Sequence, residues 1–504
     1  MALQVKGKFF FHLVGAGIVA GWLVMMTLLI LRVQVPSRPT AAWSQETGGS
    51  AGIDAAGREW KEIFLKDKKV GYAVSLIKPV DGGYFIQEEI FLRLNLMGLG
   101  SSLYTVTQCK ADRSFFLENF IFSISSGIVQ FRLSGKREGN SLIIESGSGK
   151  EKRTQTVSLQ KVPVIGATVP HLFKSRKLTV GETFSFPIFD PSTMSQRDMA
   201  VRVLDKEPLR INRLTYDAFR LETEVFGRVL TVWVDEDGSV LKEEGFMGLT
   251  TVKSSAARAP ENLDEKGTAD LYEITAVSPD RALPDPNRLS GLKIEICGLE
   301  NGGLEKSVLS GGRQEYRDGR LFVRKEKLPS AAGYSVPYMD EDGRMKEFLQ
   351  PEWNIESDER EIRDKAFEIV GEKRDALTAA KLLTEWVYRH LQKKPVLSLP
   401  SALETLRTGM GDCNEHATLL TAFLRAVGIP ARLSIGLAYS RERFFYHAWT
   451  EAYVGEWVSM DATLNQMPAD PAHIKLIEGN LEKQVEIAGI VGQLKMKILD
   501  FQYE

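Results

Sequence analysis

The stretch Gly411-Asp412-Cys413-Asn414-Glu415-His416-Ala417 puts a thiol at the start of a helix. The residues that follow, Leu419 to Val427, are apolar on nearly every side, as expected of a helix buried inside a domain. Gly428 and Pro430 stop that helix, one as a left-handed cap and the other as a residue that cannot continue it. At the other end Asp412 fits the N-cap, with Glu415 as its capping-box partner three residues on. Cys413 is then the first helical residue. Unpaired N–H groups and the positive end of the helix dipole favour a thiolate there, although Asp412 and Glu415 oppose it. Cys413 is therefore the best candidate in the chain for a low-pKa thiol, expected to alkylate faster than the other cysteines.

Phe445 to Tyr453 and Glu456 to Asp461 read as two strands joined by a tight turn around Gly455. Side chains alternate along a strand, so His447, Trp449, Glu451 and Tyr453 share a face. A three-residue turn, Val454 to Glu456, pairs Tyr453 with Trp457 and brings Asp461 diagonal to His447, within reach of a hydrogen bond. Cys413, His447 and Asp461 are the parts of an activated nucleophile. His416, three residues after Cys413 on the same helix, is a local rival base. It lacks an orienting carboxylate on its own side, whereas His447 has Asp461. His390 reads as a boundary histidine of an upstream helix.

This set of motifs resembles the transglutaminase-like superfamily, the papain-related group that includes transglutaminases, peptide N-glycanases and many bacterial proteins. The residues that carry the resemblance are Gly411-Asp412-Cys413, Arg425-Ala-Val-Gly-Ile-Pro-Ala-Arg432, His447-Ala448-Trp449 and Trp457-Val-Ser-Met-Asp-Ala-Thr463, with Pro400 to Leu406 upstream. They lie within residues 355 to 475. The resemblance implies an α+β domain with helices before the nucleophile and strands after it. It also implies roles: Cys413 as nucleophile, His447 as base, Asp461 as the orienting acid.

The chain of 504 residues is 43% hydrophobic and 26% charged, ordinary globular composition with room for two or three domains. A net charge of −2 with dispersed Lys and Arg argues against a nucleic-acid partner. Of the 3 cysteines, Cys109 and Cys297 would be free to pair in an oxidising compartment, but nothing in the sequence brings them together, and two buried thiols is the plainer reading. No Cys/His cluster has zinc spacing, and no metal or other cofactor is expected. The Asp-Glu-Asp-Gly runs at 235–238 and 340–343 lack the bidentate Glu of a calcium loop and read as hairpin turns. Gly147-Ser148-Gly149-Lys150 fails as a phosphate loop, because Ile144 stands where the first Gly belongs and Glu151 where Ser or Thr belongs.

Phe9 to Leu31 is an uncharged, mostly apolar run long enough to span a bilayer. Lys6 and Lys8 before it, against Arg32 and Arg38 after it, give a weak bias for the N-terminus inside. The expected organisation is a cytoplasmic tail (1–8), a transmembrane anchor (9–31), a Pro/Ser/Gly/Ala-rich tether (32–58) and a β-rich domain (59–280). A small β-rich module or linker (281–345), a transglutaminase-like domain (346–480) and a C-terminal tail (481–504) follow. The bulk of the chain would then be periplasmic, held at a bacterial inner membrane by a single span.

Within 59–280, runs such as Val70 to Leu76, Tyr84 to Leu96, Tyr104 to Cys109, Phe115 to Ile124, Ile128 to Leu133 and Tyr216 to Val225 predict a large antiparallel sheet, curled into a partial barrel. Phe115, Phe116, Phe120 and Phe122 either line a cavity in it or, more simply, pack its core. The fold class is thus α+β, with an N-terminal transmembrane helix. Two function classes stay open. One is a membrane-anchored thiol enzyme that cleaves or transfers an amide acyl group on envelope peptides or proteins through a Cys413 thioester, with hydrolysis favoured because water competes. The other is an envelope binding or assembly module in which the β-rich domain carries the function and the triad is a relic.

Overall fold

Alternating apolar and polar residues build one continuous 15-stranded sheet from the first half of the chain. The computed structural model describes residues 57–504, except 97, 128, 148–152, 226–227, 246–247, 264–269, 300–305, 330–332, 396–398, 480–482, 484–486 and 488–489. The proposed tail, anchor and tether up to residue 56, and most of the 147–150 motif, lie outside the described residues. Among those described, no helix is long and apolar enough to cross a membrane.

The sheet is a double meander. From Arg58–Leu65 the chain runs strand by strand outwards to Arg153–Ser158. It then crosses to Val164–Ile165 and meanders back to Leu249–Ser254, which pairs antiparallel with Arg58–Leu65. The two wings fold towards each other. The Phe120 and Phe189 rings, from opposite wings, stand 5.8 Å apart, and the Leu117 N–H donates to the Pro163 carbonyl at 2.8 Å. Ile86, Leu117, Phe120, Leu133, Leu142 and Phe189 are fully buried in this curl, and full burial of each such side chain stabilises by about 1.5–3 kcal/mol. Phe115 and Phe120 are core residues, while Phe116 and Phe122 pack against the core half-buried. The aromatic run thus fills the sheet. A short helix, Val169–Lys174, sits at the crossover and buries His171 and Phe173.

A second sheet has the order Gln314–Arg317, Arg320–Arg324, Leu289–Cys297, Lys495–Tyr503. This corrects one expectation. The stretch 481–504 is not simply a tail, because its Lys495–Tyr503 strand pairs antiparallel with Leu289–Cys297, setting Ile498 opposite Ile294 and Met496 opposite Ile296. Met496 and Ile498 alternate inwards between lysines, so the strand period is present in the sequence, but its partner lies some two hundred positions away. The β-rich stretch 281–345 packs onto the C-terminal region. Leu292, Ile294, Leu321 and Val323 share one apolar cluster with Leu437, Phe444, Ile474 and Leu476 of the C-terminal region. The 340–343 run is not a hairpin turn either: it lies in bends with no flanking strand pair, whereas 235–238 does join two paired strands.

The C-terminal region has helices Arg360–Val370, Ala376–His390, Ala402–Thr408 and Cys413–Ala426. Behind them is a four-stranded antiparallel sheet in the order Trp457–Met460, Arg443–Tyr453, Ala431–Ser440, His473–Glu478. The first of these helices begins at Arg360, so Glu356 lies ahead of it and caps none of its amides. Buried Glu356 instead accepts from Ser401 Oγ at 2.5 Å and the Ala402 N–H at 2.8 Å, placing its carboxylate at the positive end of the Ala402–Thr408 helix.

Candidate active site

The helix Cys413–Ala426 begins with the expected cap. Asp412 accepts from the Asn414 N–H at 2.9 Å, and Glu415 Oε2 accepts from the Asp412 N–H at 2.9 Å, closing the capping box. The helix is buried along almost its whole length beneath the sheet, which fixes the thiol in depth as well as direction.

The hairpin has the expected register, with Tyr453 opposite Trp457 and Thr450 opposite Met460. His447 Nε2 lies 2.7 Å from Asp461 Oδ2. The Cys413 thiol lies close enough to His447 and to the Ala448 backbone for Cys413 and His447 to shift each other's proton affinity. Cys413, His447 and Asp461, far apart in the chain, thus meet at one point. His416 does not join them. Its Nδ1 is 2.7 Å from the Asp412 carbonyl of its own helix, and its Nε2 is buried with no partner. Burial also lowers the His416 pKa. His390 is exposed, stacked on Trp386 one helical turn back.

Asp461 is fully buried and uses both oxygens. Oδ1 accepts from the Thr463 and Leu464 N–H groups at 2.7 and 3.1 Å, while Oδ2 faces two imidazoles, His447 at 2.7 Å and His473 at 3.0 Å. Burial pushes this carboxyl up, but the two histidines outweigh it and hold it well below the usual carboxylate range. For His447 burial favours the neutral ring, yet the Asp461 carboxylate and Cys413 outweigh it and raise the pKa to about 10. The thiol moves the opposite way from the expectation of a low-pKa cysteine. Cys413 is only 8% exposed, and burial with Asp412 beside it pushes the thiol up, against the pull of His447 and the Ala448 N–H. Loss of hydration outweighs the helix terminus here.

His473 was not among the residues picked out from the sequence. It follows Asp470-Pro471-Ala472 and opens a strand that pairs with Ala431–Ser440, and the pairing alone brings it to Asp461. The donor atoms of His447, Asp461 and His473 lie within 4.8 Å of one another. Their 2.7 and 3.0 Å spacings are those of N–H···O hydrogen bonds; ligands of a tetrahedral zinc would stand about 3.3 Å apart. Cys109 is buried, Cys297 exposed, and the two are not bonded.

Residues 363–462 match the transglutaminase-like superfamily, and residues 136–244 match a family described only as a protein of unknown function, DUF3108. No curated protein matches the chain. Among solved structures, a candidate cysteine protease from Cytophaga hutchinsonii is similar at 21% identity over 43% of this chain and 88% of its own, with a TM-score of 0.30. The β-barrel-like protein of domain of unknown function DUF1849 from Brucella abortus is 11% identical over 39% and 94%, with a TM-score of 0.31. The periplasmic domain of TgpA from Pseudomonas aeruginosa is 16% identical over 35% and 90%, with a TM-score of 0.21. Likenesses this weak carry no argument about mechanism. The family match has Cys413, His447 and Asp461 inside its bounds, and residues 363–462 are a transglutaminase-like domain.

Proposed function

We propose that the chain is a membrane-anchored thiol enzyme of the cell envelope that cleaves, or transfers, an amide acyl group on a peptide or protein through a Cys413 thioester. The observation that supports this reading is that His447, whose Nε2 lies 2.7 Å from buried Asp461, is near enough to Cys413 for the two groups to shift each other's proton affinity. The pair first loses one proton. The Cys413 sulfur then attacks the amide carbonyl, forming a C–S bond and an oxyanion. The Cys413 backbone N–H is a candidate donor to that oxyanion, since the cap draws on the amides of Asn414 and Glu415 instead. His447, as imidazolium, gives its proton to the leaving amine as the C–N bond breaks. Asp461 fixes the ring and stabilises its charged form. Water, activated by the now neutral His447, opens the thioester to a carboxylate; an amine in place of water would make a new amide. Hydrolysis is favoured because water is the abundant acceptor.

A binding or assembly role, with the triad as a relic, has one feature in its favour: the thiol is buried with its pKa raised. Treating the purified full chain with an acyl-type thiol-reactive activity probe separates the two readings. Covalent labelling at Cys413, lost in His447→Ala, supports the enzyme, and a thiol inert to the probe in the folded chain supports the binding module.

A further inference from the structure

His473 stands between two buried carboxylates. Its Nε2 is 3.0 Å from Asp461 Oδ2 and its Nδ1 is 3.1 Å from Asp470 Oδ1, with the side chain 1% exposed. An ionised carboxylate only accepts hydrogen bonds. Asp461 accepts from two backbone amides as well as from imidazole, and Asp470 accepts from the Ala472 N–H at 2.9 Å and from Gln466 Nε2 at 2.8 Å. Donors crowd both carboxylates, which favours their ionised form, and two ionised acceptors call for a donor from each ring nitrogen of His473.

We propose that His473 is a positioning residue, a standing imidazolium between Asp461 and Asp470 that divides the Asp461 carboxylate between two rings and so extends the Cys413–His447–Asp461 set by two members. The inference rests on the thiol-enzyme reading for its consequence, but not for its charge state. Burial alone would neutralise His473, and the two carboxylates outweigh it, raising its pKa to about 9.

The surroundings fit a fixed cation. His447 faces it at 5.6 Å between ring centroids, and the Trp449 ring meets it edge-on at 5.4 Å. From the adjoining sheet, buried Arg313 donates to the carbonyls of Ala469, Asp470 and His473 and pairs with Glu326 at 2.7 Å. Arg313 thus clamps the backbone of the segment that carries Asp470 and His473 without touching either side chain's acceptor oxygens. On the helix, Cys413 acts on His447 and His416 lies within the field of Asp461. The consequence has a definite sign. A cation sharing Asp461 weakens that carboxylate's hold on the His447 proton, so the Cys413–His447 pair releases its proton at a lower pH than it would with Asp461 undivided.

Two measurements on the full chain test this. Nitrogen chemical shifts of ¹⁵N-labelled histidines report the protonation of each ring directly, with assignment by substituting the other five histidines one at a time. His473 is expected to be protonated on both nitrogens from pH 6 to 8; a neutral tautomer in that range overturns the proposal. In a Cys297→Ser background, the pH midpoint of iodoacetamide alkylation at Cys413 is then compared with that of His473→Gln, which keeps an N–H towards Asp461 but carries no charge. The midpoint should rise by about one pH unit, the usual effect of a charge at this distance. An unchanged or lower midpoint in a folded variant overturns the role. If the variant does not fold, the nitrogen shifts of the unsubstituted chain still decide. If Cys413 resists alkylation at every pH, the thiol-enzyme reading fails while the charge of His473 is still read.

Discussion

Gly436 lies directly across the sheet from His447, and a methyl group on Gly436 would stand 1.8 Å from the carbonyl oxygen of Ile474. The strand carrying His473 approaches so closely because residue 436 has no side chain, and the pairing shifts register at that point. Gly436→Ala should therefore push the His473–Glu478 strand away and cost about 1–3 kcal/mol of stability, as overpacking does. Denaturant unfolding, with Cys413 alkylation followed on the folded fraction, checks it. Unchanged stability and reactivity would mean that the strand has slack to move.

The reactive state of the site is one proton poorer than its resting state. Both the Cys413 thiol and the His447 imidazolium hold their protons above their ordinary values, so that loss belongs to the alkaline side of neutrality. Alkylation of Cys413 should climb from pH 6 to pH 9 instead of levelling off in mild acid. Cys109, whose pKa is pushed up to about 12 by burial, should react only on unfolding. A rate already flat below pH 6 would restore the low-pKa cysteine expected from the helix start.

Two histidines compete for the role of base, and they differ in their partners. His447 has Asp461, while His416 is tied to the carbonyl of Asp412. His447→Ala should lower turnover of any substrate found by about 10³-fold or more in kcat. His416→Ala should leave most of it, provided circular dichroism finds both folded. The opposite ranking would unseat the assignment.

Tyr272, outside the transglutaminase-like region, lies near enough to the start of the nucleophile's helix to feel the charges of Asp412, Cys413 and Glu415. Its short helix, Leu271–Thr275, is held to the large sheet by Leu271 and Ile274 and to the His447 strand by the ion pair of Glu273 with Arg443. Burial, with the nearby Asp412, Cys413 and Glu415, raises the Tyr272 pKa, and the ring stands 6.5 Å from that of Phe445. Tyr272→Ala should open the approach to the thiol and speed iodoacetamide alkylation of Cys413 several-fold. A rate equal to or below that of the unaltered chain would show that the ring does not screen it.

The anchor proposed at 9–31 makes a topological prediction. A reporter enzyme active only in the periplasm, fused after Glu504, should be active, and one that works only in the cytoplasm should be silent. The reverse pattern would overturn the orientation and the envelope substrate with it.

Much of the site was legible because its signals are local. The Asp412–Glu415 box, the stop at Gly428 and Pro430, and the His447–Asp461 diagonal each involve residues close in sequence, where helix and strand periods determine which side chains meet. The alternation that predicts the large sheet is equally local. What only the tertiary structure decided depends on contacts between distant segments. His473 reaches Asp461 because its strand pairs beside Gly436, and the Lys495–Tyr503 strand finds Leu289–Cys297 across most of the C-terminal half. The charge state of Cys413 belongs to the same class. The helix start that favours a thiolate is written in the sequence, but the desolvation that outweighs it comes from the sheet folded over the thiol, and no short stretch of sequence contains that burial.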